Sequence, residues 1–564
     1  MRRIPFLWLL IFLLAILLLT ASGRIAPQDE ETTYRMAANL IEYGRTTITA
    51  QDFTVEPQSY PGFLPHTVPR TLLTTWAVPG ADGQMYPQFM PAQAYLNIPL
   101  YLIGRWLGSE PSMPAVMLTR FTTSLFNPLI IAMTGWLIAV FASRLGHSIR
   151  LSAGLGVTYS LGSMAIAYAS TYFSEPLIAL LITLAAYAAF RARDDPHCAT
   201  HVSPRSAPSG PPTFQWKVGH GQAEWESGKC RSRVEPWLLL AGSALGLAVY
   251  TRERSAIMLP AFFLYVFVTN RRLRLVDGGA LIVPIVVAGA IIGVTNWQRF
   301  GSPATFGFSA LQHTSFVTPV SVGLYGLLIS PGKGLLLYNP IAWIGLIGLI
   351  GLLRHRRAEA MLFAVTLIVE LVFFATYEFW TGGWNWGPRY ILPVVPLLVL
   401  AAGEWLHVKP TALRRAIVVV LCLIGILVNL PAALVDQSRY LVDLSERDPD
   451  HYLERTTLRL SDSPLIQQWP IVLDLAARYM QPEPWLAAQQ AITQHLSRYR
   501  GDNNLEALST HLLWIDEFFR LNVPDFWFIH LLMLGFSPAS IILTVTALLI
   551  LLVVSARKTW LMLR

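Results

Sequence analysis

The chain has 564 residues, 54% of them hydrophobic and only 13% charged, with a net charge of +8. A soluble globular chain carries about 25% charged residues, so this composition excludes an ordinary soluble domain. Apolar runs of 18 or more residues recur along the whole length, each long enough to cross a bilayer core of about 30 Å. They are unbroken and do not alternate as barrel strands do, which predicts an all-α polytopic membrane protein. The net charge follows the positive-inside rule and is not a nucleic-acid signal.

Met1-Arg2-Arg3 precedes the first apolar run, Ile4–Thr20, and predicts a cytoplasmic N-terminus. The small residues Thr20-Ala21-Ser22-Gly23 also fit a cleaved signal peptide, but the run is long for one and favours a membrane anchor. Pro27-Gln28-Asp29-Glu30-Glu31 follows at once, which puts three carboxylates where a membrane helix emerges. Residues 21–114 form a first external loop, in which Ala94–Leu107 reads as a helix lying in the membrane interface.

Basic clusters fix the remaining topology. Ala115–Phe141 returns inward to Arg144 and Arg150, Leu151–Thr171 goes out, and Leu177–Phe190 comes back to Arg191 and Arg193. The polar loop 191–235 reads as a disordered cytoplasmic segment. His197, Cys198, His201 and Cys230 share it, but their spacing matches no standard zinc pattern. Trp237–Tyr250 goes out to Arg252-Glu253-Arg254, and Ser255–Val268 returns to Arg271-Arg272. Val276–Thr295 leads to an external segment 296–333, and Gly334–Leu353 returns to Arg354-His355-Arg356-Arg357. Ala360–Tyr377 leads to the aromatic loop Glu378–Tyr390, and Ile391–Leu406 returns to Lys409, Arg414 and Arg415. Ala416–Val435 leads to a long external helical segment, 436–524, and Phe526–Val554 returns to Arg557 and Lys558. The result is about twelve spans with both termini cytoplasmic, divided as a core 1–435, the external segment 436–524, and a last span with its tail, 525–564.

On this topology several polar groups share the outer face. They are Asp29, Glu30 and Glu31; Tyr86 in Tyr86-Pro87-Gln88-Phe89-Met90-Pro91; Glu175 in the turn Ser174-Glu175-Pro176; Arg252 and Arg254; Lys333 in Ser330-Pro331-Gly332-Lys333-Gly334; and Arg389 after Gly387-Pro388. Charges at span ends often snorkel to the interface, and Tyr and Trp often form interfacial belts. Glu175 is sharper, because its turn between two apolar spans is too short to solvate it fully; Arg389 is sharper, because Gly and Pro fix the backbone before it. Acids and cations together suit a sugar joined through phosphate to an isoprenoid lipid. Cations take the charge of the departing phosphate, and a carboxylate takes the proton of an acceptor hydroxyl. A direct displacement with one carboxylate as base inverts the anomeric carbon. No Rossmann fingerprint or P-loop supports a nucleotide substrate.

The order of these motifs resembles the GT-C glycosyltransferases, polytopic enzymes that use polyprenyl-phosphate sugars. The acidic pair after the first span, Tyr34, Ala37-Ala38-Asn39-Leu40, Tyr86–Pro91, Tyr172-Phe173-Ser174-Glu175-Pro176 and Gly387-Pro388-Arg389-Tyr390-Ile391-Leu392-Pro393 carry it. Within GT-C the chain is similar to the protein O-mannosyltransferase and aminoarabinose transferase group, over roughly residues 1–410. Gln88 stands where many relatives carry Lys, and Glu253-Arg254 where some carry Lys-Gly-Pro.

The resemblance implies a GT-C-like bundle with external loop helices, in the plasma membrane, with its active site on the extracytoplasmic side. It implies Asp29 as catalytic base, with Glu30 beside it and Glu175 as second acidic residue. Arg389 becomes the contact to the lipid phosphate, with Lys333, Arg252, Tyr390 and Tyr86 as further substrate-binding residues, while Glu31 is left as a solvated first-turn residue. Some GT-C enzymes use a divalent metal ion, although these acids show no ligand spacing that fixes one. The expected partners are a polyprenyl-phosphate sugar, a glycan, lipid or protein acceptor, and membrane lipid. A transporter or flippase of a lipid-linked sugar is the alternative; against it, the charges lie at one face and no internal repeat is evident.

Overall fold

The computed structural model describes residues 6–26, 29–48, 77–108, 113–194, 236–269, 275–307, 315–408, 411–497 and 505–563. Almost all of this is helix; a hairpin of two three-residue strands, Ala77–Pro79 (β1) against Met85–Pro87 (β2), pairs Val78 with Tyr86. Seven helices are long and apolar enough to cross a membrane: Val116–Arg144, Glu175–Arg193, Leu275–Phe300, Arg357–Thr376, Arg389–His407, Ala412–Leu434 and Pro538–Leu563. Four shorter apolar helices join them: Leu7–Leu19, Pro236–Thr251, Val320–Ile329 and Ile341–His355. The chain is an all-α polytopic membrane protein.

The expected count of about twelve spans is not reproduced among the described residues, and the reasons are local. The run expected as one span over Leu151–Thr171 is Ile149–Gly162 followed, after a break at Ser163, by the single turn Ala165–Tyr168. The last run is a short helix, Trp527–Met533, and then the span Pro538–Leu563. The segment 296–333, expected to be external, holds the apolar helix Val320–Ile329, which packs on Arg357–Thr376. The zinc-like residues of the polar loop lie outside the described residues; the first four positions of that loop continue the helix Glu175–Asp194.

Small residues let the helices pack backbone to backbone, the main source of helix association where lipid is as apolar as the core. A Cβ at Gly242 would lie 2.3 Å from the Leu281 carbonyl oxygen, and one at Gly348 would lie 1.9 Å from that of Ala401. The helix Ala92–Leu107 has the amphipathic form expected of an interfacial helix. It buries Gln93, Asn97 and Tyr101 and exposes Leu102, Ile103 and Trp106.

Two cores result. The larger fills the membrane bundle. The second lies in the segment 436–524, where Leu475, Ile492, Leu513 and Phe519 pack with Val116, Met117 and Met533. The segment 436–524 is therefore joined by apolar contact to the start of one span and to the approach of the last.

Candidate active site

The Tyr172–Glu175 turn lies between helices, and its carbonyls need partners. Side chains supply them: Asn127 Nδ2 donates to Thr171 O at 2.8 Å and to Phe173 O at 2.9 Å, and Gln93 Nε2 donates to Tyr172 O at 2.8 Å. The fixed turn sets Glu175 at the first position of its helix, where the helix dipole favours an anion, and leaves it 1% exposed. Arg254 Nη2 donates to Glu175 Oε1 at 2.6 Å, and Arg254 lies over the Tyr390 ring at 4.5 Å. Arg252 supports the turn from the other side: its Nε donates to Ser174 Oγ at 2.7 Å, and its guanidinium lies 3.6 Å above the Phe89 ring.

Arg389 arrives on the loop Gly382–Pro388. Gly382, Gly383 and Gly387 have φ of +70°, +79° and +61°, which only glycine adopts without strain. A Cβ at Gly387 would also meet the Tyr338 ring at 2.9 Å. Lys333 Nζ spends its donors on the loop, to Gly383 O at 3.0 Å, Asn385 O at 2.7 Å and Asn385 Oδ1 at 3.1 Å. Tyr168 donates its hydroxyl to Trp386 O at 2.8 Å. The loop thereby delivers Arg389 between the two acids. Its Nη1 is 3.4 Å from Asp29 Oδ2, its Nε 3.6 Å from Glu175 Oε1, and its guanidinium 4.7 Å from the Phe173 ring centre. Tyr390 beside it stacks on Phe374 with ring centres 4.4 Å apart.

Beside this cluster is a cavity of 590 Å³, whose walls include Asp29, Glu30, Arg389, Tyr390 and Gln88, while Glu175 and Arg252 stand behind its lining. Asp29 opens the helix Asp29–Tyr43, and its side chain is 20% exposed. Glu30 is buried; its Oε2 accepts from Ala26 N at 2.9 Å, and Oε1 has no protein partner. Burial pushes its carboxyl up to about 7, against the pull of the Ala26 amide and Arg24. Glu31 is not the solvated residue expected of a helix exit, but is fully buried. Burial alone would raise its carboxyl; Arg120, 2.8 Å away, and Arg35, at 2.7 Å, hold it below the usual range. Arg35 is the (i, i+4) neighbour on the same helix, but Arg120 comes from the separate helix Met113–Ser124, whose packing the local sequence does not announce.

Of the other residues expected in the site, Lys333 lies behind the loop and Tyr86 stands apart on the hairpin, its hydroxyl donating to Asp82 at 2.8 Å. Neither lines the cavity. Burial, with Arg389 nearby, draws the Lys333 ammonium down to about 7.

The far wall comes from residues that the sequence reading did not select. Arg24 bridges Asp525 at 2.7 Å and Asp436 at 2.8 Å, and Arg520 reaches Asp436 at 3.4 Å and Glu517 at 2.9 Å. Asp436, Arg520 and Asp525 line the cavity. Glu370 is a further acid, buried within the span Arg357–Thr376. The signal for most of these was present: Arg24, Asp436 and Asp525 flank apolar runs as Asp29 does, and Glu370 is an acid inside one. Among the described residues no three His, Cys, Asp or Glu side chains are placed to hold a metal ion. The site carboxylates face guanidinium groups instead, so the set does not fit a metal centre and no step is routed through one.

No protein-family model matches the chain, and no curated protein matches its sequence. Among solved structures, it is similar to ArnT from Cupriavidus metallidurans bound to undecaprenyl phosphate. The TM-score is 0.47 with 15% identity, over 93% of this chain and 76% of that one. It is also similar to the archaeal oligosaccharyltransferase AglB from Archaeoglobus fulgidus in complex with an inhibitory peptide and a dolichol-phosphate. There the TM-score is 0.41 with 13% identity, over 81% of this chain and 60% of that one.

Proposed function

We propose that this protein is an inverting glycosyltransferase that moves a sugar from a polyprenyl-phosphate donor to an acceptor on the extracytoplasmic side of the plasma membrane. The observation that carries this reading is the convergence of Asp29, Glu175 and Arg389, which are 146 or more positions apart in sequence, at contacts of 3.4 and 3.6 Å beside one cavity. The acceptor oxygen attacks the anomeric carbon, the bond from that carbon to the phosphate oxygen breaks, and its electron pair stays on the phosphate. Asp29 takes the acceptor proton, and Arg389 takes the phosphate charge, while Arg254 holds Glu175 by the tighter pair. A phosphate is a good leaving group, so no general acid is needed.

The contacts from Arg389 to its two carboxylates are longer than the 2.6 Å bond between Arg254 and Glu175. Arg389 is thus the cation that an arriving phosphate can draw away, and its departure frees Asp29 to act as base. The placement of the charges at helix starts supports an enzyme over a transporter, whose sites lie near the midplane of broken helices. Arg389→Ala should lower kcat/KM for the lipid donor by about 10²–10³ and raise the donor concentration required. Unchanged donor dependence in proteoliposomes would remove Arg389 from the site.

A further inference from the structure

The cavity extends past Arg389 to a mouth that the transfer chemistry leaves unused. There the helix Ser438–Arg447 turns one face inward: Ser438, Val442 and Ser445 follow at helical spacing, with Glu446 beside them. Trp384 also lines the cavity, half-buried, and packs against the cluster of Tyr440, Leu441 and Leu444 on this helix. Its Nε1 donates to the Tyr452 hydroxyl at 3.0 Å, and the two rings meet edge to face at 6.0 Å. The indole is therefore held in one orientation with its polar edge already satisfied.

We propose that this mouth is the acceptor subsite and that it takes a saccharide ring; the inference rests on the sugar-transfer reading above and names its acceptor class. A pyranose or furanose presents an apolar C–H face and a girdle of hydroxyls, each both donor and acceptor. The fixed Trp384 ring matches the face. The girdle meets complementary groups: the exposed Glu446 carboxylate accepts only, and Ser445 Oγ gives its proton to Val442 O at 2.9 Å and so keeps lone pairs to accept with. Ser438 Oγ accepts from Arg520, so the cavity-lining Arg520 is held beside it. An acyl chain would desolvate Glu446 for nothing, and a peptide hydroxyl would leave the aromatic face without a partner. With a sugar hydroxyl as nucleophile, its oxygen bonds to the anomeric carbon of the polyprenyl-phosphate donor, its proton goes to Asp29, and the products are a glycoside and the free lipid phosphate.

Full-length protein in nanodiscs can be tested on a printed array of free saccharides and of Ser/Thr peptides, with undecaprenyl phosphate binding measured on the same samples. The wild type should retain saccharides. Retention should fall at least about tenfold in Trp384→Ala and Glu446→Gln, since a site built for hydroxyls loses much when one partner is removed. Trp384→Phe, which keeps a flat ring, should retain part of it, and undecaprenyl phosphate should bind all variants alike. Glu446 is exposed, so its variant stays informative if Trp384→Ala misfolds. Retention of peptides in place of saccharides, retention of neither, or equal saccharide binding by Glu446→Gln overturns the proposal. Failure of the wild type to bind undecaprenyl phosphate counts instead against the donor reading.

Discussion

Glu30 and Glu31 are adjacent in sequence and opposite in electrostatics. Glu31 faces two guanidinium groups and stays ionised, whereas Glu30 is buried beside the cavity with one oxygen unpartnered and titrates near 7. For a carboxyl raised from 4.5 to about 7, the native state binds more protons than the unfolded state between these values, so its contribution to stability falls as pH rises through that window and then levels off. Glu30→Gln, which keeps an oxygen to accept from Ala26, should therefore match the wild type in thermal stability below pH 4.5 and exceed it above pH 7. A stability gap that does not depend on pH would contradict the assignment. At this scale the sequence was readable where the backbone advertised the residue: Glu175 in a short turn and Arg389 after glycine and proline. It was not readable where a partner lies far along the chain. Arg24 meets Asp436 and Asp525 across 412 and 501 positions, and nothing beside Arg24 in sequence indicates either acid.

Three helices meet at Arg120. It comes from Met113–Ser124 and pairs with Glu31 of Asp29–Tyr43 and with Asp516 of Leu505–Asn522, all three at most 1% exposed. Burial holds Asp516 up at about 6 even beside this cation. The arrangement couples the helix that bears Asp29 to the segment 436–524. Removing the shared cation leaves carboxylates buried without it, so Arg120→Met should cost about 3–5 kcal/mol of stability, read as a fall in unfolding midpoint in detergent. A stability equal to the wild type would show that the network carries no load. The helices themselves were largely legible, because apolar length marks a span directly. The break at Ser163 was not, since residues on both sides are apolar, whereas Ser330-Pro331-Gly332-Lys333-Gly334 marks the end of Val320–Ile329 in the sequence itself.

Over the whole molecule, the cavity is lined by parts from both ends of the chain: the start supplies Asp29, the middle Arg389, and the segment from 436 on Asp436, Ser438 and Asp525. This sharing argues that 436–524 works with the membrane core and is not an independent appendage, which its sequence, matching no motif, did not disclose. The proposed orientation places that segment outside and the loop 191–235 inside. In a background with Cys198, Cys230 and Cys422 replaced by Ser, Asp450→Cys should react with a membrane-impermeant maleimide on intact cells, and Gly210→Cys should not; the reverse would put the cavity on the cytoplasmic side. The central claim, that Asp29 takes the acceptor proton, is tested most directly by Asp29→Asn in proteoliposomes carrying a labelled polyprenyl-phosphate sugar. Sugar transfer should fall by about 10²–10⁴, with undecaprenyl phosphate binding retained. Transfer at the wild-type rate would contradict the account.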